Sequence, residues 1–311
     1  MPALRTFGPN EQASALRVTE GTLPLETYAN GDGYKAEFVD AANPMPLPGA
    51  GRWRDDLVAM KPGMSAVGAD PTELPYTHFS VKLSKSRSLP LFSAVNIDGR
   101  RMQRDIDRTD VWRRDPRIDG LFQNLREGYG NAQQGLFSRG HMTRREDPNW
   151  GDVNTATRAD LDTFHITNVA PQRQGFNAGI WLGLEDYVLD NTDDADMKVS
   201  VLTGPILADD DPVYYNIRVP VAFWKVIVFT HVRTRLLTTI GYRRSQFDFL
   251  PGVRRSRFVF GDFDDTQVSI ASLELDTGLD FSAYVPFDVL TGAGAGLEVR
   301  LSGASDAYLV R

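Results

Sequence analysis

Cysteine is absent from this sequence of 311 residues, which excludes both a disulfide framework and a metal site built from thiolates. Apolar runs are short as well, and none approaches the ~20 residues that a membrane-spanning helix requires. The first 21 residues carry charges throughout and lack the apolar segment of a signal peptide. We therefore expect a protein that stays in the cytoplasm and has no membrane partner, with export without a leader peptide as the alternative.

Positive charge is in deficit overall but is concentrated locally. The formal net charge is −7, which taken alone argues against a polyanionic partner. Arginine is nevertheless clustered in three stretches, at 100–117, 139–145 and 243–257. A basic cleft on an acidic body can bind a phosphate backbone, because the field in a groove is local. The alternative for each cluster is that its arginines are solvated or pair with nearby aspartates; the cluster around His141 is the one favoured for function.

The length of the chain allows one α+β domain with an extension, or two modest domains. Residues 1–65 show little hydrophobic periodicity and contain a segment rich in proline and glycine, Ala41–Gly51. This composition predicts an N-terminal extension and linker outside the packed core. The remaining residues, 66–311, are predicted to form the functional domain.

Hydrophobic patterning predicts a sheet and one prominent helix. His78–Leu83 alternates like a half-buried strand and is expected to form a hairpin with Leu89–Ile97. Further strands are predicted at Phe164–Val169, Met197–Gly204, Val219–Val228 and Arg233–Tyr242. Gly175–Asp190 is the best helix, because its apolar residues recur at helical spacing. These elements indicate an α+β fold with a mostly antiparallel central sheet and flanking helices.

His141 differs in its surroundings from the other histidines of the chain. His78 and His165 lie in apolar, strand-like contexts, so a structural role is favoured for both. His141 instead follows Arg139 and Gly140 and lies among cations. Nearby positive charge favours the neutral form of a histidine, which can accept a proton near pH 7. This is the property that a general base needs to activate water.

Two polar residues of the predicted helix share one face. Asn177 and Glu185 are eight residues apart, which places them two turns apart on the same side. An amide oxygen with few carboxylates is a poor cage, but it suits Mg²⁺, which keeps most of its waters and accepts a substrate phosphate. Arg139 could hold a phosphate oxygen as a bidentate donor. The alternative for Asn177 is a simple helix N-cap.

The stretch SRGHMTRRED, followed by TNVAPQ, FN and LE, resembles the DNA/RNA non-specific endonucleases. These are the ββα-metal or His-Me finger nucleases, a group that includes mitochondrial endonuclease G. The resemblance covers roughly Leu74–Phe281. It implies a ββα-metal active-site motif and hydrolysis of DNA and RNA that leaves a 5′-phosphate.

The resemblance also implies a role for each matching residue. His141 would be the general base, and Asn177 the single protein ligand of a hydrated Mg²⁺, for which Mn²⁺ can substitute. Glu185 would hold a metal-bound water, Asn168 would orient the histidine region or the phosphate, and Arg139 would contact the phosphate. Three further arginines are candidates for substrate binding: Arg108, Arg144 and Arg173.

Two positions depart from the family pattern. The motif usually begins with aspartate, where this chain has Ser138, and a family arginine is replaced by Leu189. Transition-state charge must then be stabilised elsewhere, and Arg108 and Arg173 are the candidates. The departures support an alternative, a catalytically weak or inactive nucleic-acid-binding module that retains the fold. Related enzymes suggest a homodimer, and a toxin with this activity would require an inhibitor protein.

Overall fold

The computed structural model describes residues 22–29, 31–109, 111–124, 129, 137–173, 176, 197–231, 234–251 and 266–290, and the backbone of 298–300. The strands in this part of the chain are β1 Leu74–Pro75, β2 Phe79–Ser84, β3 Leu89–Asp98, β4 Ser138–His141, β5 Val169–Gln172, β6 Lys198–Ile206, β7 Val213–Tyr214, β8 Ile217–Arg218, β9 Ala222–Thr230, β10 Leu237–Ser245, β11 Thr266–Val268 and β12 Glu298–Arg300. Its α-helices are α1 Val153–Thr163 and α2 Ile270–Thr277, and short 3₁₀ turns lie at Leu25–Tyr28, Gly51–Asp56, Gly99–Arg101, Gly120–Phe122, Ile166–Asn168, Phe247–Phe249 and Val285–Phe287.

A single large sheet organises the fold. Within the described residues it contains eight strands in the order β1-β2-β3-β6-β9-β10-β11-β12, and every neighbouring pair is antiparallel. The ribbons β4-β5 and β7-β8 are separate from it. The predicted hairpin is formed by β2 and β3, and β6, β9 and β10 lie within a few residues of their predicted ranges. The predicted α+β fold with a mostly antiparallel sheet is confirmed.

Both faces of the central strands are buried. Successive side chains of a strand point to opposite faces, so Phe92 and Ala94 of β3 join one apolar layer while Val95 and Ile97 join the other. Trp224 of β9 belongs to the first layer and is 0% exposed. Burial of a large apolar side chain contributes roughly 1.5–3 kcal/mol relative to exposure. The two layers therefore account for the long apolar runs of β3, β6 and β9.

The N-terminal segment packs on the sheet. Tyr34 and Met45 belong to one apolar layer, and Tyr28, Val58 and Met60 belong to the other. The expectation that residues 1–65 lie outside the packed core was wrong for these five residues, because composition does not report contacts made over long sequence distances. The domain boundary near residue 65 stays a prediction.

The region after the histidine motif differs from the sequence prediction. A strand was expected over Phe164–Val169, but residues Ile166–Asn168 form a 3₁₀ turn and the strand begins only at Val169. Helix α1 precedes this turn and was missed. Asp152 caps its first turn by accepting a hydrogen bond from the Thr155 amide, 3.0 Å long. Several residues on its buried face are polar, so its sequence lacks a clear apolar stripe.

The helix predicted over Gly175–Asp190 lies outside the described residues apart from Phe176, which is helical. The ββα motif therefore stays a prediction; within the described residues, β4 and β5 pair as an antiparallel ribbon. A search of the described residues for a helix that could cross a membrane found none.

Candidate active site

The histidine motif lies on the β4-β5 ribbon, where His141 is opposite Val169. Gly140 pairs with Ala170, and the side chain of Gln172 covers it so closely that a Cβ on Gly140 would lie 1.9 Å from the Gln172 Oε1. Gln172 is 1% exposed, so it cannot simply swing into solvent. The glycine of the motif is therefore required by close packing within the ribbon.

Asn168 joins the end of β4 to the end of α1. Its Nδ2 donates to the carbonyl oxygens of Thr143, at 2.9 Å, and Thr163, at 3.1 Å, and its Oδ1 accepts from the Thr143 amide at 2.9 Å. The Asn168 backbone carbonyl accepts from the amide of Met142 at 2.8 Å. The side chain is 0% exposed, and both of its polar atoms are bonded to the protein. This geometry fixes the chain directly after His141.

Two aromatic rings flank the His141 imidazole. The ring centroid of Trp112 lies 5.0 Å from that of His141, and the ring of Phe164 lies 5.4 Å away and nearly perpendicular, at 87°. Trp112 and Phe164 also touch each other edge to face, with centroids 5.1 Å apart. Both rings are buried, at 5% and 0% exposure, while His141 is half-buried. The imidazole thus lies at the edge of an apolar cluster, with its Nε2 buried, although the residue as a whole is partly exposed.

An arginine guanidinium lies over each of the two flanking rings. The Arg139 guanidinium lies 5.6 Å from the ring centroid of Trp112 and 5.0 Å from that of Tyr129. The Arg108 guanidinium lies 5.8 Å from the ring centroid of Phe164, and its residue is exposed. Aromatic faces attract and orient cations. Two predicted phosphate-binding arginines are therefore brought within one aromatic ring of the histidine.

The arginines that follow the histidine are engaged with acidic side chains. Arg144 forms a 3.2 Å ion pair with Glu146. Arg145 donates to Asp160 of α1 at 2.8 Å and to the carbonyl oxygen of Ile106 at 3.2 Å. Burial raises the pKa of Asp160 above its usual value, although Arg145 and a neighbouring amide act in the opposite direction. Arg145 therefore ties the basic segment before the motif to α1.

Arg173 lies directly after β5, at the other end of the ribbon. Its backbone amide donates to Gln246 Oε1 at 2.8 Å, and Gln246 Nε2 donates to the carbonyl of Pro171 at 3.1 Å. Burial raises the pKa of the Tyr214 phenol, while the nearby charge of Arg173 lowers it in part. The half-buried Arg173 is thus fixed at the backbone, close to the β7-β8 ribbon.

The other two histidines considered from the sequence have structural roles, as predicted. His165 is 0% exposed, and its ring nitrogens bond to the Tyr28 hydroxyl and the Asp162 carbonyl, both at 2.8 Å. His78 stacks on Trp150 with ring centroids 3.4 Å apart, and its Nδ1 bonds to a backbone carbonyl. Burial lowers the pKa of both imidazoles.

A buried ion pair behind the site was not predicted. Arg117 and Asp115 form a pair at 2.8 Å, with side chains 5% and 0% exposed. The Tyr76 hydroxyl donates to Asp115 at 2.6 Å and also bonds to the hydroxyl of Thr167 at 2.7 Å. Thr167 precedes Asn168 in the chain, so the network supports the turn that carries Asn168. Both residues of this ion pair lie in one short segment, residues 115–118. The contact of the pair with the turn cannot be read from the sequence and is seen only in the structure.

Three positions that matter for the predicted metal site, Asn177, Glu185 and Leu189, lie outside the described residues. The position of Phe176, the residue before Asn177, is described. Phe176 packs on the large sheet and is 0% exposed, and its carbonyl accepts a 2.7 Å hydrogen bond from Arg244, whose guanidinium also lies 4.6 Å from the Phe176 ring centroid. Among the described residues, no group of three or more His, Cys, Asp and Glu side chains is arranged to hold a metal ion.

Comparison with known proteins gives consistent matches. The sequence model of the family described as DNA/RNA non-specific endonuclease matches residues 58–288. The uncharacterized protein y4fB of Sinorhizobium fredii is 36% identical over an alignment of 312 positions, which covers 96% of this chain and 46% of that protein. The mitochondrial nuclease EXOG of Danio rerio is 29% identical over 133 residues, covering 42% of this chain and 36% of that protein.

A solved structure of the EndoG/EndoGI complex, concerned with the mechanism of EndoG inhibition, shares the fold. It is 24% identical with a TM-score of 0.52, and the match covers 70% of this chain and 89% of that chain. The chain spans about half the length of y4fB, and its match with EXOG covers about a third of that nuclease.

Proposed function

Because this chain belongs to the DNA/RNA non-specific endonuclease family, we propose that it hydrolyses phosphodiester bonds in DNA and RNA with a divalent metal ion. The observation that supports this best is the arrangement around His141. The half-buried His141 lies on the β4-β5 ribbon, and an arginine guanidinium lies over each of its two aromatic neighbours. This arrangement supports a proposal in which His141 accepts a proton and the two arginines bind phosphate.

In the proposed reaction, His141 accepts a proton from a water molecule as that water attacks the phosphorus atom. The bond from phosphorus to the 3′-oxygen breaks, the 5′-phosphate stays on one product, and solvent supplies a proton to the departing 3′-oxygen. Asn168 acts as a positioning residue, because its hydrogen bonds to Thr143 and Thr163 hold the chain next to His141. Its burial argues against direct contact with the phosphate.

Arg139 and Arg108 are proposed to bind the non-bridging oxygens of the scissile phosphate. Stacking on Trp112 and Phe164 limits the rotation of each guanidinium and so reduces the entropy lost when phosphate binds. We assign Arg144 a weaker role in binding, because its partner Glu146 repels phosphate. Arg173 is proposed to contact the substrate farther along the strand.

Asn177 would hold the metal ion, with Glu185 holding one of its waters. When bound there, Mg²⁺ would offset the negative charge that grows on the phosphate in the transition state. An ion with one amide ligand from the protein would be held mainly through water, as Mg²⁺ commonly is. A site with a single amide ligand needs no cluster of carboxylates.

An inactive nucleic-acid-binding module is the second candidate, favoured by Ser138 at the start of the motif. Cleavage assays on supercoiled plasmid and on RNA, run with Mg²⁺, with Mn²⁺ and with EDTA, distinguish the two functions. The proposal predicts metal-dependent cleavage that Asn177→Ala abolishes, whereas Asn154→Ala, an exposed asparagine of α1, leaves it intact. Binding without turnover in either metal would establish the module instead. A homodimer, an inhibitor partner and a cytoplasmic location stay predictions.

A further inference from the structure

The β7-β8 ribbon, Val213–Arg218, contains an unusual turn, and we name this ribbon the tyrosine hairpin. Its two central residues, Tyr215 and Asn216, have φ angles of +49° and +63°. A two-residue turn with two positive φ angles strongly favours Asn-Gly or similar small residues. Asn216 suits this requirement, but a bulky tyrosine is strained in the left-handed region. A residue kept at a strained position in this way points to a function for its side chain.

The tyrosine hairpin lies against the cluster that holds His141. The Tyr214 ring packs edge to face on Phe137, the residue directly before β4, with centroids 5.2 Å apart. Tyr214 and Tyr215 are partly buried against the same group of side chains that contains Trp112 and Phe164. Both tyrosines keep part of their surface exposed to solvent. The hairpin therefore forms a wall beside the histidine motif.

A second exposed aromatic residue and a cation accompany the hairpin. The Tyr214 hydroxyl donates to the carbonyl of Pro251 at 2.6 Å, which joins the hairpin to the neighbouring turn Phe247–Phe249. Phe249 in that turn is 41% exposed. Arg173 lies close enough for its charge to act on Tyr214. Partly exposed rings and a nearby cation are features with which proteins hold single-stranded nucleic acids.

We propose that Tyr215, assisted by Phe249, is a stacking platform for unpaired bases of the substrate strand that enters the His141 site. This inference rests on the proposed nuclease function and specifies its substrate class, single-stranded or locally unpaired nucleic acid. Bases of any sequence, in DNA or RNA, present a face that can stack, so the platform fits an enzyme without base or sugar preference. A paired duplex offers no such face except at its ends.

Binding measured in EDTA tests the platform without turnover. Fluorescence anisotropy compares a labelled oligo-dT strand with a fully paired DNA duplex of equal charge, for the wild type, Tyr215→Asn, Tyr215→Phe and Phe249→Ala. Asparagine accepts the left-handed backbone, which offsets the loss of the packed ring, so Tyr215→Asn should keep a melting temperature close to that of the wild type while weakening binding of the single strand by roughly five- to 150-fold. Tyr215→Phe should bind like the wild type, Phe249→Ala should weaken the single strand only, and duplex binding should change little throughout.

Ser88→Asn is the matched control, because Ser88 also has a positive φ, +51°, in the β2-β3 turn. It should raise the melting temperature without changing binding. An oligonucleotide with 2-aminopurine should lose fluorescence on binding to the wild type but less so with Tyr215→Asn. Unchanged single-strand affinity in Tyr215→Asn, or an equal loss for strand and duplex, would overturn the platform. If either of these Tyr215→Asn results is found while the wild type still shows metal-dependent cleavage, only the platform is refuted. If the wild type neither binds nor cleaves nucleic acid, the proposed function is refuted as well.

Discussion

Replacing Asn168 with aspartate should show whether this side chain acts through its hydrogen bonds or only through the space that it fills. The substitution keeps the shape and the acceptor that meets the Thr143 amide, but it removes the two N–H donors that reach the carbonyls of Thr143 and Thr163. A neutral carboxyl can restore only one of these hydrogen bonds, and an ionised one restores neither. Because the position is fully buried, the charged form is strongly disfavoured there.

The size of the effect follows from the lost bonds. A buried polar group left without its partner costs about 1–3 kcal/mol, so Asn168→Asp should lose about 1–3 kcal/mol with a neutral carboxyl, which leaves one carbonyl unpaired, and roughly 2–6 kcal/mol with an ionised one, which leaves two. This is a large part of the ~5–15 kcal/mol that stabilises a typical domain. The introduced carboxyl should have a folded-state pKa raised above its unfolded value. The folded state then binds more protons, and the variant loses stability as pH rises through that range.

Urea denaturation at pH 5 and pH 8 measures this prediction, with Asn154→Asp as the exposed control. We expect Asn168→Asp to be destabilised at pH 5 and more so at pH 8. At temperatures where it remains folded, kcat for cleavage should fall more than KM changes, because His141 is displaced while the substrate surface is retained. Equal stability of the variant and the wild type at both pH values would refute the structural role assigned to the hydrogen bonds of Asn168.

Three further predictions concern other parts of the site. Gly140→Ala should cost about 1–3 kcal/mol by overpacking the ribbon, whereas Gly120→Ala, with open space around it, should not; thermal denaturation compares them. Arg244→Gln should lower stability by roughly 1.5–3 kcal/mol and reduce kcat more than KM, in a denaturation series run beside cleavage kinetics. Burial lowers the pKa of His165 below 6.5, so the unfolded state binds more protons and stability is lost as pH falls below about 6.5; a His165→Gln variant should show a weaker dependence between pH 5 and 7.5 in urea midpoints.

The large sheet could be predicted because its strands have a simple pattern. The side chains of β2 and β3 alternate in polarity or are continuously apolar, and clear turn residues flank both strands. Each end of the two predicted ranges lies within one residue of the observed end. Helix α1 could not be predicted in this way, since it buries polar residues such as Asp160 and Asp162 that ion-pair with arginines. The start of β5 was missed because the buried amide of Asn168 stabilises a turn where propensity favours a strand.

The site could be predicted in part. Sequence reasoning selected His141, Arg139 and Asn168, and the structure brings them together on or beside one ribbon. It did not identify Trp112 and Phe164, because nothing in the local sequence shows that these rings meet the imidazole. The N-terminal residues that pack on the sheet were missed for the same reason, since their partners are distant in the sequence.

Plasmid cleavage by His141→Ala, measured in Mg²⁺ beside the wild type and His231→Ala, tests whether His141 is the general base. His231 follows β9 at the end away from the ribbon, so its replacement should leave cleavage unchanged. Loss of a general base predicts a rate for His141→Ala that is lower by roughly 10²–10⁴-fold, with the melting temperature retained. A folded His141→Ala protein that cleaves plasmid at the wild-type rate would contradict the assignment of His141 as the general base.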